Sequence, residues 1–494
     1  MKKILSTIIV AAAIFSMVGA AGAAPDACDC AINLYGASAQ YKFWTAAAPG
    51  LLQSWGCAPA DIYQSDGDPL GDRDNGIAIC AGSTAIGNPT VSGAGIGSIG
   101  GGTFCIRYTS YASFEGVYSV SNQNPNNVDA VCNGSADLTP GCNTPWQGYR
   151  LLADEMQSSF ATPPAMGVIS ALACRDVHLG ASDCEAAAFQ QQSSGELQGP
   201  CGGGAYSSSV YNVDTLLCPG YRFHNPLVVP FAFFKNDDPS TPVPFDDMSE
   251  TMAAAIYSGA VNDWSDFDPN LTPMRIKACL RHAGSGTHAT LYASILFHQA
   301  ANLITTEMGP LHPLVLAGLA PEAYFNKGSS DMMYCVGGNC KNQTGIVHNA
   351  IGAVGYADAD KITSYTPGVE NKYGYVQRML YNGHGCVTGV CDNSHVGSGV
   401  GRHAKSDTET QFKDHVTHGR NTFWADQHLY SCPWDFSTGI DPTCYPNCGS
   451  NDWIAMVDTY ASNPANLPSS KAPYWAAQNE MQVTRANAFA VQKF

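Results

Sequence analysis

Short apolar runs rich in β-branched and aromatic residues alternate along this chain with stretches whose apolar residues have helical spacing. The run "AINLYGAS" precedes "YKFWTAAAPGLLQSW", "FCIRYTS" precedes "FEGVYSVS", and "DVHLGASD" precedes "CEAAAFQQQ". Further along, the helix-like "MSETMAAAIYSG" is followed by the strand-like "MRIKACL" and the helix-like "ATLYASILFHQAANLI". Strand–helix alternation is typical of α/β proteins with largely parallel sheets. We therefore predict an α/β fold, in which "NPLVVPFAFF" is a buried strand.

Long segments rich in Gly, Ser, Asn and Pro separate these elements, at 65–102, 121–148, 193–220 and 383–402. Such segments are too long to be simple connectors in a compact domain. They carry much of the chain's cysteine, so we interpret them as disulfide-tied insertions on a simpler core.

The first 23 residues have the pattern of a secretory signal peptide. Lys2 and Lys3 precede the apolar run "ILSTIIVAAAIFSMVGA", and the small residues "AGA" offer a cleavage site after Ala23. No later stretch is long and apolar enough to span a bilayer, and Cys28 does not lie in a lipid-attachment context. We expect a periplasmic or secreted protein without membrane insertion.

The cysteine content predicts a disulfide framework, since an exported chain with 19 cysteines has at least one unpaired thiol. Cys279 lies inside a predicted strand and is our candidate for this buried thiol. The closely spaced cysteines are the expected partners, namely Cys335 with Cys340, Cys386 with Cys391, and a third group of Cys432, Cys444 and Cys448. For the third group, disulfides are favoured over the alternative of a zinc site.

Charge and motifs narrow the function. The chain has 41 acidic and 24 basic residues and a net charge of −17, which argues against nucleic acid or an anionic membrane surface as partner. A small anion is compatible with this charge, because local dipoles and hydrogen-bond donors hold it. The sequence has no Gly-x-Ser-x-Gly, His-Glu-x-x-His or Gly-Lys-Ser/Thr motif. We therefore expect a protein without enzymatic activity, cofactor or metal.

Four predicted strand-to-helix turns consist of small or hydroxylated residues: "YGASAQYKFW", "YTSYASFEG", "GASDCEAAAF" and "RHAGSGTH". In open α/β sheets such turns converge at the carboxyl ends of the strands, where helix N-termini favour an anion. In "RHAGSGTH", Arg281 would add a charge-assisted hydrogen bond to the amides of the following Ser-Gly-Thr. The alternative is that Ser285 and Asp183 are ordinary helix caps.

These motifs resemble those of the periplasmic phosphate-binding proteins of ABC transporters. "INLYGASAQY" resembles the family's Gly-Ala-Gly-Ala-Thr-Phe turn, "IRYTSYASFEGV" its Gly-Ser-Ser-Gly-Gly turn, and "VHLGASD" its "DFGASD" element. "IYSGAVNDWSD", "RHAGSGT" and "AIGAVGYADADK" are similar to its "IYLGKIKKWDD", "RRADGSGT" and "GAIGYVEYAYAK". The resemblance implies a type 2 periplasmic-binding-protein fold with two α/β lobes around a ligand cleft. Lobe 1 would comprise 24–235 and 420–494, and lobe 2 would comprise 236–419, with hinges at "NPLVVPFAFF" and near "NTFWADQHLYS".

The resemblance also implies a ligand and its contacts. Phosphate or a related tetrahedral oxyanion would bind between the lobes, without metal or cofactor, for delivery to an ABC permease. The implied ligand-binding residues are Gln40, Tyr41, Ser113, Asp183, Arg281, Ser285, Gly286 and Thr287.

Four positions depart from the family pattern. Gln40 and Tyr41 stand where the family has Thr and Phe. Ala283 replaces a family Asp that pairs with the Arg and helps select protonated phosphate, and Glu115 replaces a turn Gly and adds negative charge near the pocket. We expect weaker discrimination against fully ionised anions such as sulfate. The alternative function is a structural or interaction protein that reuses this fold with an altered or lost ligand site.

Overall fold

The computed structural model describes residues 28, 30–81, 103–121, 128–132, 148–189, 217, 220–296, 303–339, 349–362, 366, 368–382, 409–432, 451–487 and 490–493. The predicted signal peptide and the cysteines at 340, 386, 391, 444 and 448 lie outside these ranges, as do large parts of the four predicted insertions.

The strands of the described residues, in chain order, are β1 (Cys30–Gly36), β2 (Ile62–Gly67), β3 (Asp74–Cys80), β4 (Phe104–Ser110), β5 (Tyr149–Ala153), β6 (Ser158–Ser159), β7 (Gly167–Ile169), β8 (Leu172–Asp176), β9 (Leu179–Ser182), β10 (Arg222–Asn236), β11 (Asp247–Met248), β12 (Lys277–Arg281), β13 (Glu322–Asn326), β14 (Ala353–Asp358), β15 (Val376–Arg378), β16 (Leu380–Tyr381), β17 (Trp424–Ser431), β18 (Ala476–Ala477), β19 (Val483–Asn487) and β20 (Ala490–Lys493). The α-helices are α1 (Ser38–Ser54), α2 (Ser113–Val120), α3 (Glu250–Tyr257), α4 (Gly286–Ser294), α5 (Pro313–Leu316), α6 (Ser329–Gly337), α7 (Glu409–Thr417) and α8 (Asn451–Ala461). Among the described residues, none of the helices has the length and apolarity needed to cross a membrane.

Most of these strands form one mixed sheet, in which two parallel groups are joined by two antiparallel strands. The order is β13-β12-β14-β10-β17-β9-β1-β4-β3-β2-β7-β6, and β15 and β18 pair with β10. β1 is parallel to β4 and β9, and β12 is parallel to β13 and β14. The two groups therefore repeat one arrangement. In the first, β1 lies between β4 and β9, and the antiparallel β17 follows β9. In the second, β12 lies between β13 and β14, and the antiparallel β10 follows β14.

Strand β10 connects the two groups. It pairs with β17 as far as Pro230 and with β14 from Phe231 onwards, so one continuous strand of 15 residues belongs to both. Its last 11 residues are buried, as the apolar run in the sequence predicts. The predicted α/β fold with two lobes is confirmed by this strand order, whereas the lobe boundaries at 235/236 and 419/420 remain predictions. Below, "first half" means the β1 group and "second half" the β12 group.

Glycines allow α2 to lie close to β1 and β9. Gly36, at the end of β1, has a φ of +134°, which L side chains rarely adopt. A Cβ atom on Gly36 would lie 2.1 Å from the carbonyl oxygen of Ala181, and one on Gly116 would lie 2.0 Å from the same oxygen. The close approach places the N-terminus of α2 beside the end of β9.

Four disulfides between described residues confirm the predicted framework: Cys28–Cys105, Cys57–Cys80, Cys132–Cys174 and Cys279–Cys335. Two expectations are wrong, because Cys279 is not a free thiol and Cys335 does not pair with Cys340. Although 56 residues separate Cys279 from Cys335, the packing of α6 on β12 brings their Cα atoms within 6.0 Å. Cys432 is also disulfide-bonded.

Two local predictions are also corrected. The described part of "CEAAAFQQQ" forms only a 3₁₀ turn at Ala186–Ala188, whose first amide, that of Ala186, donates to Tyr430 Oη at 2.8 Å. Residues 65–80, taken as the start of an insertion, instead contain the end of β2 and all of β3, which pair antiparallel from Ile62 with Cys80 to Gly67 with Asn75.

Candidate functional site

A cavity of about 460 Å³ lies where the carboxyl ends of the two parallel groups meet. Three helices begin at its wall, α1 at Ser38, α2 at Ser113 and α6 at Ser329. Their N-cap residues are Ala37, Ala112 and Gly328, which have no polar side chain to cap the first turn. The helix dipoles at these N-termini favour an anion. Two of the amides there already have partners: Phe114, in the first turn of α2, donates to the Gly284 carbonyl at 3.3 Å, and Gly328, the N-cap of α6, donates to the Asp331 carboxylate at 2.8 Å.

Asp183 and Ser113 form the wall of the cavity in the first half. Ser113 Oγ donates to Asp183 Oδ2 at 2.8 Å. The other carboxylate oxygen, Oδ1, is buried and has no hydrogen-bond partner among the described residues. Burial, together with the negative charge of Asp358, raises the pKa of Asp183 to about 6. Asp183 does not cap a helix, since Glu185 is the N-cap of the turn that follows. Its free oxygen is thus an acceptor for a ligand that carries a proton.

Arg281 forms the opposite wall, at the end of β12. Its Nη1 donates to Ser329 Oγ at 2.7 Å, and its Nε and Nη2 donate to the Lys327 carbonyl at 3.2 and 2.9 Å. These bonds connect the ends of β12 and β13 and fix the plane of the guanidinium at the edge of the cavity. Because Ser329 Oγ accepts from Arg281, its hydroxyl hydrogen can point toward a ligand.

A buried tyrosine–histidine pair supports Arg281 from behind. The Arg281 amide donates to Tyr356 Oη at 3.0 Å, and Tyr356 Oη lies 2.5 Å from His288 Nδ1. Burial and the neighbouring Arg281 lower the pKa of His288 to about 3, so the imidazole is neutral. Tyr356 Oη thus accepts from the Arg281 amide and shares a second hydrogen bond with His288 Nδ1, which connects the backbone of Arg281 to α4.

The "SGT" residues lie where the two halves touch. Ser285 is the N-cap residue of α4 but makes no side-chain cap hydrogen bond, so ordinary capping does not account for it. A Cβ atom on Gly286 would lie 2.4 Å from Asp183 Cβ and 2.7 Å from Ser113 Oγ. Ser285 and Thr287 are buried beside it. The structure thus brings this turn together with Ser113 and Asp183, as the sequence predicts.

The first predicted turn contributes a different residue to the cavity wall from the two that the sequence predicts. Gln40 is buried, and its Oε1 accepts from Trp44 Nε1 at 3.1 Å, while Tyr41 packs against Tyr108 with ring centroids 5.7 Å apart. The described cavity wall includes Ser38 from this turn but neither Gln40 nor Tyr41. Their assignment as ligand contacts remains a prediction.

Three lysines that the sequence did not point to also line the cavity: Lys42, Lys327 and Lys361. Lys42 forms an ion pair with Asp358, which joins the first half to the second. Lys361 Nζ donates to Ser330 Oγ at 3.4 Å. Burial and the nearby Lys42 lower the pKa of Lys361 to about 7. Lys42 directly follows the "ASAQY" turn and Lys361 ends the "AIGAVGYADADK" motif, so the signal for both was adjacent to the motifs.

Ala283 and Glu115, two of the four departures from the family pattern, have different consequences for the charge of the site. Ala283 is buried beside the site and supplies no carboxylate. Glu115 does not line the described cavity, because its Oε2 accepts from Arg150 Nε at 3.2 Å and from Nη2 at 3.1 Å. The expected repulsion of an anion by Glu115 is therefore offset by a buried cation. Within the described ranges, no group of three His, Cys, Asp or Glu residues could hold a metal ion.

No protein-family model matches the chain, and no curated protein is similar to it. Among solved structures, a putative phosphate ABC transporter substrate-binding protein with bound phosphate from Clostridium perfringens is 10% identical, covering 87% of this chain and 98% of that chain with a TM-score of 0.34. An ABC-type phosphate transport receptor from Vibrio cholerae is 13% identical, covering 50% and 74% with a TM-score of 0.26. A phosphate-binding protein from Stenotrophomonas maltophilia is 14% identical, covering 54% and 67% with a TM-score of 0.27. The strand order of its own two halves agrees with the two-lobed α/β fold that the sequence motifs imply.

Proposed function

We propose that this protein is an exported solute-binding protein that captures phosphate or a related tetrahedral oxyanion between its two lobes and delivers it to an ABC permease. The observation that carries the proposal is the composition of one cavity. Asp183, with an unpartnered oxygen, lines the same space as Arg281 and the N-termini of three helices, of which α1 and α2 have no side-chain cap. This combination offers N–H donors and a cation to the anionic oxygens, and one acceptor to a proton on the anion.

The acceptor favours anions that retain a proton. Phosphate and arsenate carry one at neutral pH, so they can donate to Asp183 Oδ1, whereas sulfate has no proton to donate and meets a carboxylate. Ala283 removes one carboxylate from the family pattern, but Asp183 remains. We therefore propose that the protein prefers phosphate and arsenate to sulfate, although less strongly than a site with two carboxylates. Export is supported by the four disulfides, which form in oxidising compartments.

Calorimetric titration of the full mature chain with phosphate, arsenate, sulfate and molybdate at pH 7 tests this function. We expect phosphate and arsenate to bind with micromolar or tighter affinity, and sulfate to bind at least tenfold more weakly, about 1.4 kcal/mol. The absence of heat with all four anions would contradict the proposal and favour the alternative of a structural or interaction protein.

We also expect an anion to bind together with a proton when the pH is above 7. Lys361, with a pKa of about 7, is mostly neutral at pH 8 in the empty cavity. A bound anion stabilises the ammonium form and raises this pKa, so the complex takes up a proton and affinity falls as pH rises beyond 7. Titration with phosphate at pH 8 in two buffers of different ionisation enthalpy measures the uptake. Lys361→Met should reduce it, and equal uptake by the variant and the unaltered protein would show that another group takes the proton.

A further inference from the structure

An apolar surface lies outside the cavity, on the segment between α4 and β13. Residues 308–321 contain no Asp, Glu, Lys or Arg, and none of them lines the described cavity. Single exposed leucines are ordinary, whereas four between positions 311 and 319 indicate an interaction surface. We call these four the leucine patch, and their exposed fractions are 81% for Leu311, 46% for Leu314, 63% for Leu316 and 68% for Leu319.

The leucine patch is part of an ordered turn. Val315, at the centre of α5, is fully buried and anchors the helix to the second half. The Leu319 amide donates to the Leu314 carbonyl at 2.8 Å. The Gly318 amide donates to the Val315 carbonyl at 3.1 Å, and Gly318 has a φ of +69°. This is a common way for a helix to end, and it brings the residues at the positions of Leu314 and Leu319 close together. The patch is therefore a surface of fixed shape.

The patch is large for a surface that meets only water. Its four side chains expose on the order of 400 Å² of apolar area, which equals the largest apolar patch of a typical monomer. A stable protein interface buries about 800 Å² on each partner, so the leucines alone provide roughly half of one side. Pro313, Ala317 and Gly318, which are also exposed, extend the same surface. The area is therefore sufficient for the centre of a protein–protein contact.

Charge indicates which partner fits. The chain has a net charge of −17, so two copies repel each other across most of their surfaces, and a contact is least opposed where charge is absent. The flanking acids are engaged within their own chain, since Glu307 Oε1 accepts from the Phe325 amide at 3.2 Å and Glu322 Oε2 lies 3.6 Å from Lys277 Nζ. The same net charge disfavours an anionic membrane surface. An uncharged apolar patch is complementary to itself, as a two-fold contact requires.

We infer that a second copy of this chain covers the leucine patch and that the protein forms a two-fold symmetric dimer. The contact lies beside β13, the last strand of the main sheet on the side of the second half. Met308 and Ala323 exchange backbone hydrogen bonds of 2.9 Å there, which attach the segment to this strand. The cavity is not part of the contact, so dimer formation should leave phosphate affinity unchanged. The inference does not depend on the proposed oxyanion function.

Sedimentation equilibrium of the full mature chain between about 1 and 100 µM tests the dimer. We expect the mass to rise from that of one chain to that of two across this range. Leu311→Glu removes apolar area and places a negative charge on each side of the contact, so the dissociation constant of the dimer should rise about a hundredfold. Val369→Glu adds the same charge at a residue that is 56% exposed and lies outside the patch, and it should retain the dimer. Thermal unfolding verifies that both variants fold.

Three results would overturn the inference. The first is a monomer at every concentration. The second is a dimer whose dissociation constant Leu311→Glu leaves unchanged, because another surface would then form the contact. The third is a monomeric chain that sediments with vesicles of neutral phosphatidylcholine and loses this binding in Leu311→Glu, because lipid would then cover the patch. Phosphate titration of Leu311→Glu should match the unaltered protein, and a lower affinity would contradict the separation of the contact from the cavity.

Discussion

Arg281→Met is expected to reduce phosphate affinity by at least a hundredfold in calorimetric titration. The guanidinium is the buried cation that stands at the end of β12, and its plane is fixed by bonds to Ser329 and the Lys327 carbonyl. Hydrogen bonds between charged partners contribute about 1.5–3 kcal/mol each, and a guanidinium can make two to one tetrahedral anion. Loss of both corresponds to about 3 kcal/mol or more, which is a hundredfold or larger change in affinity.

Two further variants test whether the loss of affinity is specific to the guanidinium at position 281. Arg281→Lys retains the charge but not the planar pair of donors, so its affinity should fall between the two. Arg275→Met removes a positive charge six residues earlier in the chain, at a position that does not line the cavity, and should leave affinity unchanged. Thermal unfolding of each variant shows whether the fold is retained. Phosphate binding by a folded Arg281→Met protein with unaltered affinity would contradict the oxyanion site as assigned.

The fold was predictable because its signals are local. A continuous apolar run such as "NPLVVPFAFF" indicates a strand buried on both faces, and β10 is such a strand. Small residues at the end of a strand followed by helical spacing indicate a strand-to-helix turn, and α1, α2 and α4 begin at or beside the predicted turns. Both patterns are formed by residues that lie close together in the sequence.

The errors concern contacts between residues far apart in sequence. A cysteine in a buried strand has the same local pattern whether it is a thiol or half of a disulfide, and the partner of Cys279 is 56 residues away on α6. Likewise, nothing near Glu115 in the sequence shows that Arg150, 35 residues later, neutralises it. The helix propensity of "CEAAAFQQQ" likewise does not decide its structure, since Ala186–Ala188 form a 3₁₀ turn whose first amide bonds the distant Tyr430 hydroxyl.

The site was predictable in part. Ser113, Asp183 and Arg281 line one cavity because each lies at or just after the carboxyl end of a strand, where the ends of parallel strands meet. Gly286 packs against Ser113 and Asp183, and the role of all four as ligand contacts remains a prediction. Lys42 and Lys361 were missed because they lie on the first helix and on a 3₁₀ turn, one step beyond the turn motifs. Their approach to the cavity depends on how the two halves pack, which no single motif encodes.

Arg150→Met is expected to lower the free energy of unfolding by about 3–5 kcal/mol, because it leaves Glu115 buried without its cation. Burial raises the pKa of Glu115 even when Arg150 is present. In the variant the carboxyl must either stay charged at high cost or bind a proton, so the loss of stability should shrink as pH falls and Glu115 becomes neutral. Urea unfolding at pH 8 and pH 5 measures this difference.

The double variant Arg150→Met/Glu115→Leu separates charge from packing. Replacing a whole buried ion pair by apolar residues of similar size is often close to neutral, so this protein should be more stable than Arg150→Met alone. Equal instability of the two would mean that Arg150 acts through packing and that its charge is unimportant. Since α2 begins at Ser113, two residues before Glu115, the single variant should also weaken phosphate binding, and the double variant should recover it. The position that looked like an intrusion on the anion site is therefore half of a buried ion pair, and it affects Ser113 only when its charge is left unpaired.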